Sequence, residues 1–475
     1  MNNKRIVKVL CTFVVLVSMV ATAQAQAYRT GYFLKGNSYN HRLNPSFQPD
    51  RGYFSFPFLG NTSVGAVTNL GISDFIYPHG DGLATFMHPD VSADEFLSNL
   101  NKNNSFNLNM DMTIFSLGFY AFGGYNTLDI GLHLNAGMNI PKDFFHFMKD
   151  MGAENYSLSN IDIRTRNFMD IAIGHSHKLN DNLTFGARLK LLAGLAYAEV
   201  LMDRMELSMN EAEWQIRANG SAALSMMGVK ATYGEDGFID GFDGFTPGLS
   251  GLGCGADLGV TYDFSNVLTK GLILSVALND LNYIKWNSVS KAGISPDRPY
   301  SFNGFSEVGI NDEEGNNSID QQLGEIADDM SDFFALNKVE TGDYGDFWGA
   351  TVNVGVEYKM PFYERMSVGA LFTHRFDNMY SYTVGSLMLN LSPLNFLDLS
   401  ASASVSTFGY DWGAMLNIHC PGFNLFAAAN IYAGKVSKLA VKDLGVPLNT
   451  TVAVPLDNVN ASVMFGLNFP FGKRR

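Results

Sequence analysis

His175 and His177 are the first residues in the chain whose type and spacing invite chemistry. On a strand, alternate residues share a face, so the two imidazoles would offer a metal two nitrogen ligands. No carboxylate or cysteine is paired with them in sequence, and surface histidines account for the pattern more simply. Ser176 sits between them, as a nucleophile would in a lipid hydrolase. Adjacent strand residues point to opposite faces, however, so a Ser–His pair there has poor geometry. Cys254 and Cys420 lie far apart with no Cys-x-x-Cys partner, which argues for two isolated thiols rather than a zinc site. The glycines at 251, 253 and 255 run into a strand rather than opening a helix, as a dinucleotide loop requires. The acidic stretch from Asn311 to Asn317 lacks the spaced ligands of a calcium loop and reads as a solvated loop. The expectation is a protein that is not an enzyme, with no catalytic residue, no metal and no cofactor.

The elements that would carry these residues are strands. From Leu183 to Tyr197, Leu183, Phe185, Ala187, Leu189, Leu191, Ala193, Leu195 and Tyr197 share one face, while Thr184, Gly186, Arg188, Lys190 and Gly194 share the other. A helix would mix the two sets. The same alternation sets Leu128, Ile130, Leu132 and Leu134 against Asp129, Gly131 and His133. It sets Leu258, Val260 and Tyr262 against Asp257 and Asp263, and Trp348, Val352, Val354 and Tyr358 against Thr351, Asn353 and Glu357. The C-terminal stretch repeats it, with Val459 to Phe469 opposing Asn460, Ser462 and Asn468. Several runs reach the roughly 9–11 residues needed to cross a bilayer, with aromatics such as Tyr197, Trp214, Tyr262, Trp348, Tyr358 and Phe469 near one end. Closure into a barrel follows, because an open sheet edge in lipid leaves backbone groups unpaired.

Composition agrees. Charged residues make up 16% of the chain, against 37 Phe, 20 Tyr and 47 Gly. Mean hydropathy is +0.01, and after the N-terminus no stretch has the ~18 continuous apolar residues of a membrane helix. Lys4, Arg5 and Lys8, an apolar run from Val9 to Val20, and small residues at Ala21, Ala23 and Ala25 read as a cleaved signal peptide. Without those three cations, 29 basic residues face 46 acidic ones, a net charge near −17 that excludes nucleic-acid binding.

The expected fold is all-β: a transmembrane antiparallel β-barrel of about 14 strands in the cell outer membrane, with outer-membrane lipid as its surroundings. Residues 1–25 form the signal peptide, 26–60 an N-terminal plug-like segment, and 61–475 the barrel with a long loop at about 282–346. Strands are expected near 210–227 and 253–264 as separate crossings, with a further strand possible near 53–70. Counting back from a periplasmic C-terminus makes 228–252, 282–346 and 434–456 extracellular. The same count puts the short turn Leu179 to Asn182 on that side too, against its length. Pro141 to Lys149 reads as a short helix, and Asp320 to Asp332 as an amphipathic one. Arg188, Lys190, Arg217, Asp257 and Glu357 are the lumen candidates, with Asp263 and Arg375 beside them.

Several stretches carry a resemblance: Leu43 to Phe47, Ile140 to Phe147, Leu183 to Gly194, Gly255 to Tyr262 and Leu278 to Trp286. They resemble a family of uncharacterised outer-membrane proteins from the Bacteroidota, related to the FadL-like long-chain fatty-acid transporter barrels. The resemblance implies fourteen strands, a lumen plugged by the N-terminal segment, and passage of hydrophobic small molecules. It equally embraces barrels that serve secretion and bind surface or secreted proteins through their loops. Asn44-Pro45 resembles the hatch motif Asn-Pro-Ala, with Ser46 in place of Ala. Asn44, Pro45, Phe47, Phe54 and Phe56 become the plug or gate candidates.

Overall fold

The computed structural model describes residues 27–57, 59–79, 82–150, 155–209, 214–226, 229–233, 239–244, 248–294, 298–300, 336–377, 381–431, 436–440, 451–455 and 458–472. The expected signal peptide, the helix expected at 320–332 and the acidic stretch at 311–317 lie outside them.

Fourteen antiparallel strand positions close on themselves. They are β1 (Gly52–Ser55 continued by Asn61–Gly71), β2 (Asn103–Ala121), β3 (Gly124–Pro141), β4 (Ile161–Lys178) and β5 (Leu183–Met209). Next come β6 (Trp214–Met226 continued by Gly251–Asp263), β7 (Leu272–Ile294) and β8 (Leu336–Trp348 continued by Ala350–Lys359). The rest are β9 (Met366–Phe376), β10 (Tyr382–Leu394), β11 (Leu397–Ser406), β12 (Gly409–Cys420), β13 (Phe423–Ile431) and β14 (Asn458–Phe471). β14 pairs with β13 on one side and β1 on the other, so no edge is left in the ring. Alternation decides which face meets lipid. Along β5, Leu189 is 63% exposed while its neighbour Arg188 is 3% exposed.

The stretches 210–227 and 253–264 are one strand position, not two. Both halves of β6 pair with β5, at Ser225↔Tyr197 and Gly251↔Gly194, and the chain leaves the wall between them. Ser225 donates to the Asn287 carbonyl at 2.8 Å, and the Ser250 amide donates to the Gly194 carbonyl at 2.7 Å, so the wall stays shut at the interruption. The strand lost there is regained at β1. This also settles the side of the turn at 179–182, which lies with the other short turns at 122–123, 264–271, 360–365, 395–396 and 421–422. The expected loop at 282–346 is shorter, because 282–294 and 336–346 are wall, paired across β7 and β8.

Local irregularities reverse the alternation, and two of them shape the lumen near Trp348. In the β4–β5 register Asn167 faces Ala196 and Phe168 faces Gly194, so Leu195 is an extra bulged residue. Beyond it Tyr197 turns into the lumen, 1% exposed, rather than joining an aromatic girdle. Gly349 has φ +57°, a conformation that glycine adopts freely, and it swings Trp348 inward to 3% exposure.

β5 has 27 residues. At ~3.3 Å per residue and a 45° tilt it rises about 60 Å, twice the ~30 Å hydrocarbon thickness. The wall around β5–β8 therefore stands clear of the bilayer at the end carrying the long connections. At the same end, helices α1 (Ala93–Asn99) and α2 (Lys142–Lys149) pack Phe96 and Phe145 against Phe75 and Phe86. Ser92 caps α1, its hydroxyl accepting the Glu95 amide at 3.1 Å, and Pro141 begins α2.

Candidate functional site

The N-terminal segment, residues 27–50, lies inside the barrel and bonds to strands all round it. Its fold is local. The Asn40 amide donates to the Tyr32 and Leu34 carbonyls at 3.1 and 2.6 Å, and Asn44 Oδ1 accepts the Ser46 amide at 3.0 Å, an Asx turn spanning Pro45. Thr30 donates to Asn430 Oδ1 at 2.5 Å on β13, and the Ser400 hydroxyl on β11 donates to the Thr30 carbonyl at 2.6 Å. Opposite, Ser46 Oγ lies 2.6 Å from Thr261 Oγ1 on β6, and Ser176 on β4 donates to the Ser46 carbonyl at 3.0 Å. Asn279 and Asn353 both donate to the Leu43 carbonyl, at 2.7 and 3.3 Å. Burial pushes the Tyr32 phenol above its ordinary pKa, so it keeps its proton, and its oxygen stands 3.2 Å from Ser275 Oγ.

Inward glycines form the seat. A Cβ on Gly186 would lie 2.1 Å from the Pro45 oxygen, and one on Gly259 would lie 2.1 Å from Asn44 Oδ1. No larger residue at either place would let the Asn-Pro turn approach the wall so closely.

Beside this turn lies an ionic lattice, buried at Arg188, Lys190, Asp129, Asp170 and Asp257 and partly open at Asp280 and Asp111. Arg188 bridges Asp129 and Asp257 at 2.9 and 2.7 Å, and Lys190 bridges Asp257 and Asp280 at 2.6 and 2.9 Å. Asp280 has φ +63° and lies at a β-bulge, where its amide donates to Asp257 at 2.8 Å. His41 of the segment reaches Asp129 at 2.9 Å, while His133 on β3 lies between Asp111 and Asp170 at 2.5 and 2.9 Å. Buried charges of this kind persist only when paired and hydrogen-bonded.

Above the lattice, toward the long connections, Phe168, Tyr197, Trp286 and Trp348 form one apolar cluster. Arg166 stacks 4.5 Å from the Trp348 ring and pairs with Asp346 at 2.8 Å. Of the cavities that touch the N-terminal segment, two lie toward opposite ends of the barrel. The upper, about 160 Å³, touches Arg42, Leu43, His133, Lys190, Phe168 and Trp348. The lower, about 430 Å³, opens near the short turns and touches Tyr32, Phe33, Phe47, Tyr120, Lys35 and Glu357.

Of the expected site residues, Asn44, Pro45 and Phe47 lie in the segment, and Arg188, Lys190, Asp257 and Glu357 point into the lumen. Phe54 and Phe56 do not belong with the first group. Gly52–Ser55 is already wall, and Phe54 stacks on Phe469 at 5.4 Å while Phe56, 52% exposed, faces outward. The segment therefore ends near residue 51 rather than 60. Arg217 pairs in register with Glu206, and its side chain is outside the described residues. Sequence reasoning missed Asp129, His133 and Asp170 as lattice members, although their place opposite apolar neighbours was visible. His175 and His177 face outward with rings 5.8 Å apart, and Ser176 points inward between them, as the strand argument requires. Cys254 and Cys420 are free thiols, and among the described residues no cluster of three metal-ligating side chains occurs.

Among curated proteins, none matches this sequence. Solved structures that resemble the fold include the toluene transporter TodX of Pseudomonas putida, at 12% identity and TM-score 0.41, covering 91% of this chain and 93% of that one. The toluene transporter TbuX of Ralstonia pickettii has 10% identity and TM-score 0.38, with 92% and 93% covered. A FadL homologue of Pseudomonas aeruginosa has 11% identity and TM-score 0.36, with 95% and 98% covered. At this level of likeness nothing about function passes from them to this chain. Residues 45–430 match the family described as "Family of unknown function (DUF5723)", and the chain belongs to that family.

Proposed function

We propose that this protein is an outer-membrane channel for small hydrophobic or amphiphilic molecules, gated by residues 27–51, which act as a hatch. One observation carries the reading: the buried N-terminal segment lies between a cavity at the long-loop end, lined by charged side chains with Phe168, Trp348 and Tyr382 among them, and a larger cavity at the short-turn end. An amphiphile would rest its apolar part on Phe168 and Trp348, with its polar end toward the lattice. Displacement of the segment would then join the two cavities. An outward belt of Leu189, Leu191, Phe372, Leu387 and Phe465, all exposed, supports contact with outer-membrane lipid. The leader at 1–25 supplies export, and no catalytic step is assigned. The test is uptake of a fluorescent amphiphile into proteoliposomes bearing the full mature chain. Uptake that Trp348→Ala reduces supports the channel; barrels that neither bind nor pass any amphiphile, with or without the hatch, refute it.

A second reading is a barrel that binds surface or secreted proteins, and the wall of β5–β8 standing beyond the membrane favours it. Deleting 301–335, which leaves the strand from Leu336 whole, separates the two. Lost partner capture with unchanged uptake selects the second.

A further inference from the structure

We infer that His41 is a charged latch that holds the N-terminal segment in the lumen and lets go as pH rises. The inference rests on the proposed gating role of that segment. His41 is 2% exposed. Its Nε2 lies 2.9 Å from Asp129 Oδ2 and its Nδ1 lies 3.0 Å from the Ser38 carbonyl. Asp129 also receives the Ser116 hydroxyl at 2.6 Å and Arg188 at 2.9 Å, so its oxygens serve as acceptors. A carbonyl oxygen accepts only. Both ring nitrogens of His41 therefore meet acceptors, and only the imidazolium carries a proton on each.

Charge balance leads independently to the same state. Asp129, Asp257 and Asp280 are ion-paired with two cations, Arg188 and Lys190, while Arg42 and Arg375 act on them from further off and Arg375 is itself paired with Asp377. His41 supplies the third positive charge. The neighbouring set, Asp111 and Asp170 with His133 and Arg42, is balanced without it. The other ionisable groups near His41 are Tyr39 of the segment, Tyr53 of β1 and Tyr125 of β3, all phenols packed by their rings.

When His41 loses its proton, one nitrogen turns a lone pair toward an acceptor, and a buried carboxylate loses a counter-charge. The barrel keeps its own pairs through Arg188, so the element released is the segment. The latch is complete while both ring nitrogens carry protons, as at low pH, and it fails once one of them is lost.

The test is hydrogen–deuterium exchange of the peptide covering residues 36–48 in the full-length micellar protein. It is read from pH 5.5 to 9.5, corrected for intrinsic exchange, alongside channel conductance in planar bilayers. The wild type should exchange slowly at acid pH and progressively faster at alkaline pH. His41→Lys, which keeps the charge, should hold the peptide protected throughout, and His41→Asn should expose it throughout. Nitrogen NMR of labelled wild type, which needs no variant, should show both His41 nitrogens protonated at pH 6. A flat wild-type profile, one protonated nitrogen, or a wild-type profile surviving in His41→Lys overturns the latch. Exchange that follows pH while conductance stays at zero upholds the latch and removes the channel reading.

Discussion

Replacing Gly186 by Ala should release the N-terminal segment without opening the barrel wall. The added Cβ would stand 2.1 Å from the Pro45 oxygen, 2.2 Å from the Pro45 carbonyl carbon and 2.5 Å from the Ser46 amide nitrogen. All three are backbone atoms, so no side-chain rotation relieves the clash, and the turn must retreat by about 1 Å. That retreat loosens the bond from Ser176 to the Ser46 carbonyl and the contact of Ser46 with Thr261, now 3.0 and 2.6 Å. Overpacking of this kind costs about 1–3 kcal/mol, which shifts the seated-to-released ratio roughly 5- to 150-fold. Gly186 pairs with Ser176 and Gly259, and a methyl group disturbs neither ladder. Hydrogen exchange of residues 40–48 and limited proteolysis of the segment measure the shift, and heat-modifiability checks that the barrel is intact. Gly385→Ala serves as control, because a Cβ there meets nothing within 4 Å. Unchanged protection of 40–48 in an intact Gly186→Ala barrel would refute a role for this glycine in seating the N-terminal segment.

Other consequences are as direct. Arg188→Met leaves Asp129 and Asp257 short of a buried counter-charge and should cost about 3–5 kcal/mol, seen as a lower unfolding midpoint in urea from bilayers. Leu189→Arg, on the lipid face, should destabilise insertion by roughly 2–4 kcal/mol, whereas Leu268→Arg in an exposed short turn should change little; folding yield into vesicles reads both. Trp286→Ala removes a fully buried ring that stacks 5.3 Å from Tyr197, and should cost about 3–5 kcal/mol in the same unfolding assay.

The barrel was legible because lipid and lumen impose opposite polarity on successive residues, as at Arg188 and Leu189. The strand count of fourteen came out through two offsetting differences. A strand split at Met226 and Gly251 looks like two crossings in sequence, and β1, with its break at 56–60, looks doubtful. Irregularities are where alternation fails. Nothing in the sequence distinguishes the bulge at Leu195 from a continuing strand, so Tyr197 falls on the wrong face. Lumen charges were visible singly, but their partners were not. Asp129 and Arg188 are 59 residues apart and meet through register across β3, β4 and β5. The seat of the N-terminal segment was hidden for a different reason. A glycine in a strand reads as weakness, and its purpose at 186 and 259 appears only once Asn44 and Pro45 stand against it.

Gel mobility of the protein from purified outer membranes, boiled and unboiled, tests the central claim most directly. A closed barrel predicts a band in the outer-membrane fraction that migrates differently before boiling and moves to its denatured position afterwards. A soluble protein with one mobility in both samples would contradict it, and the channel, the hatch and the latch would fall together.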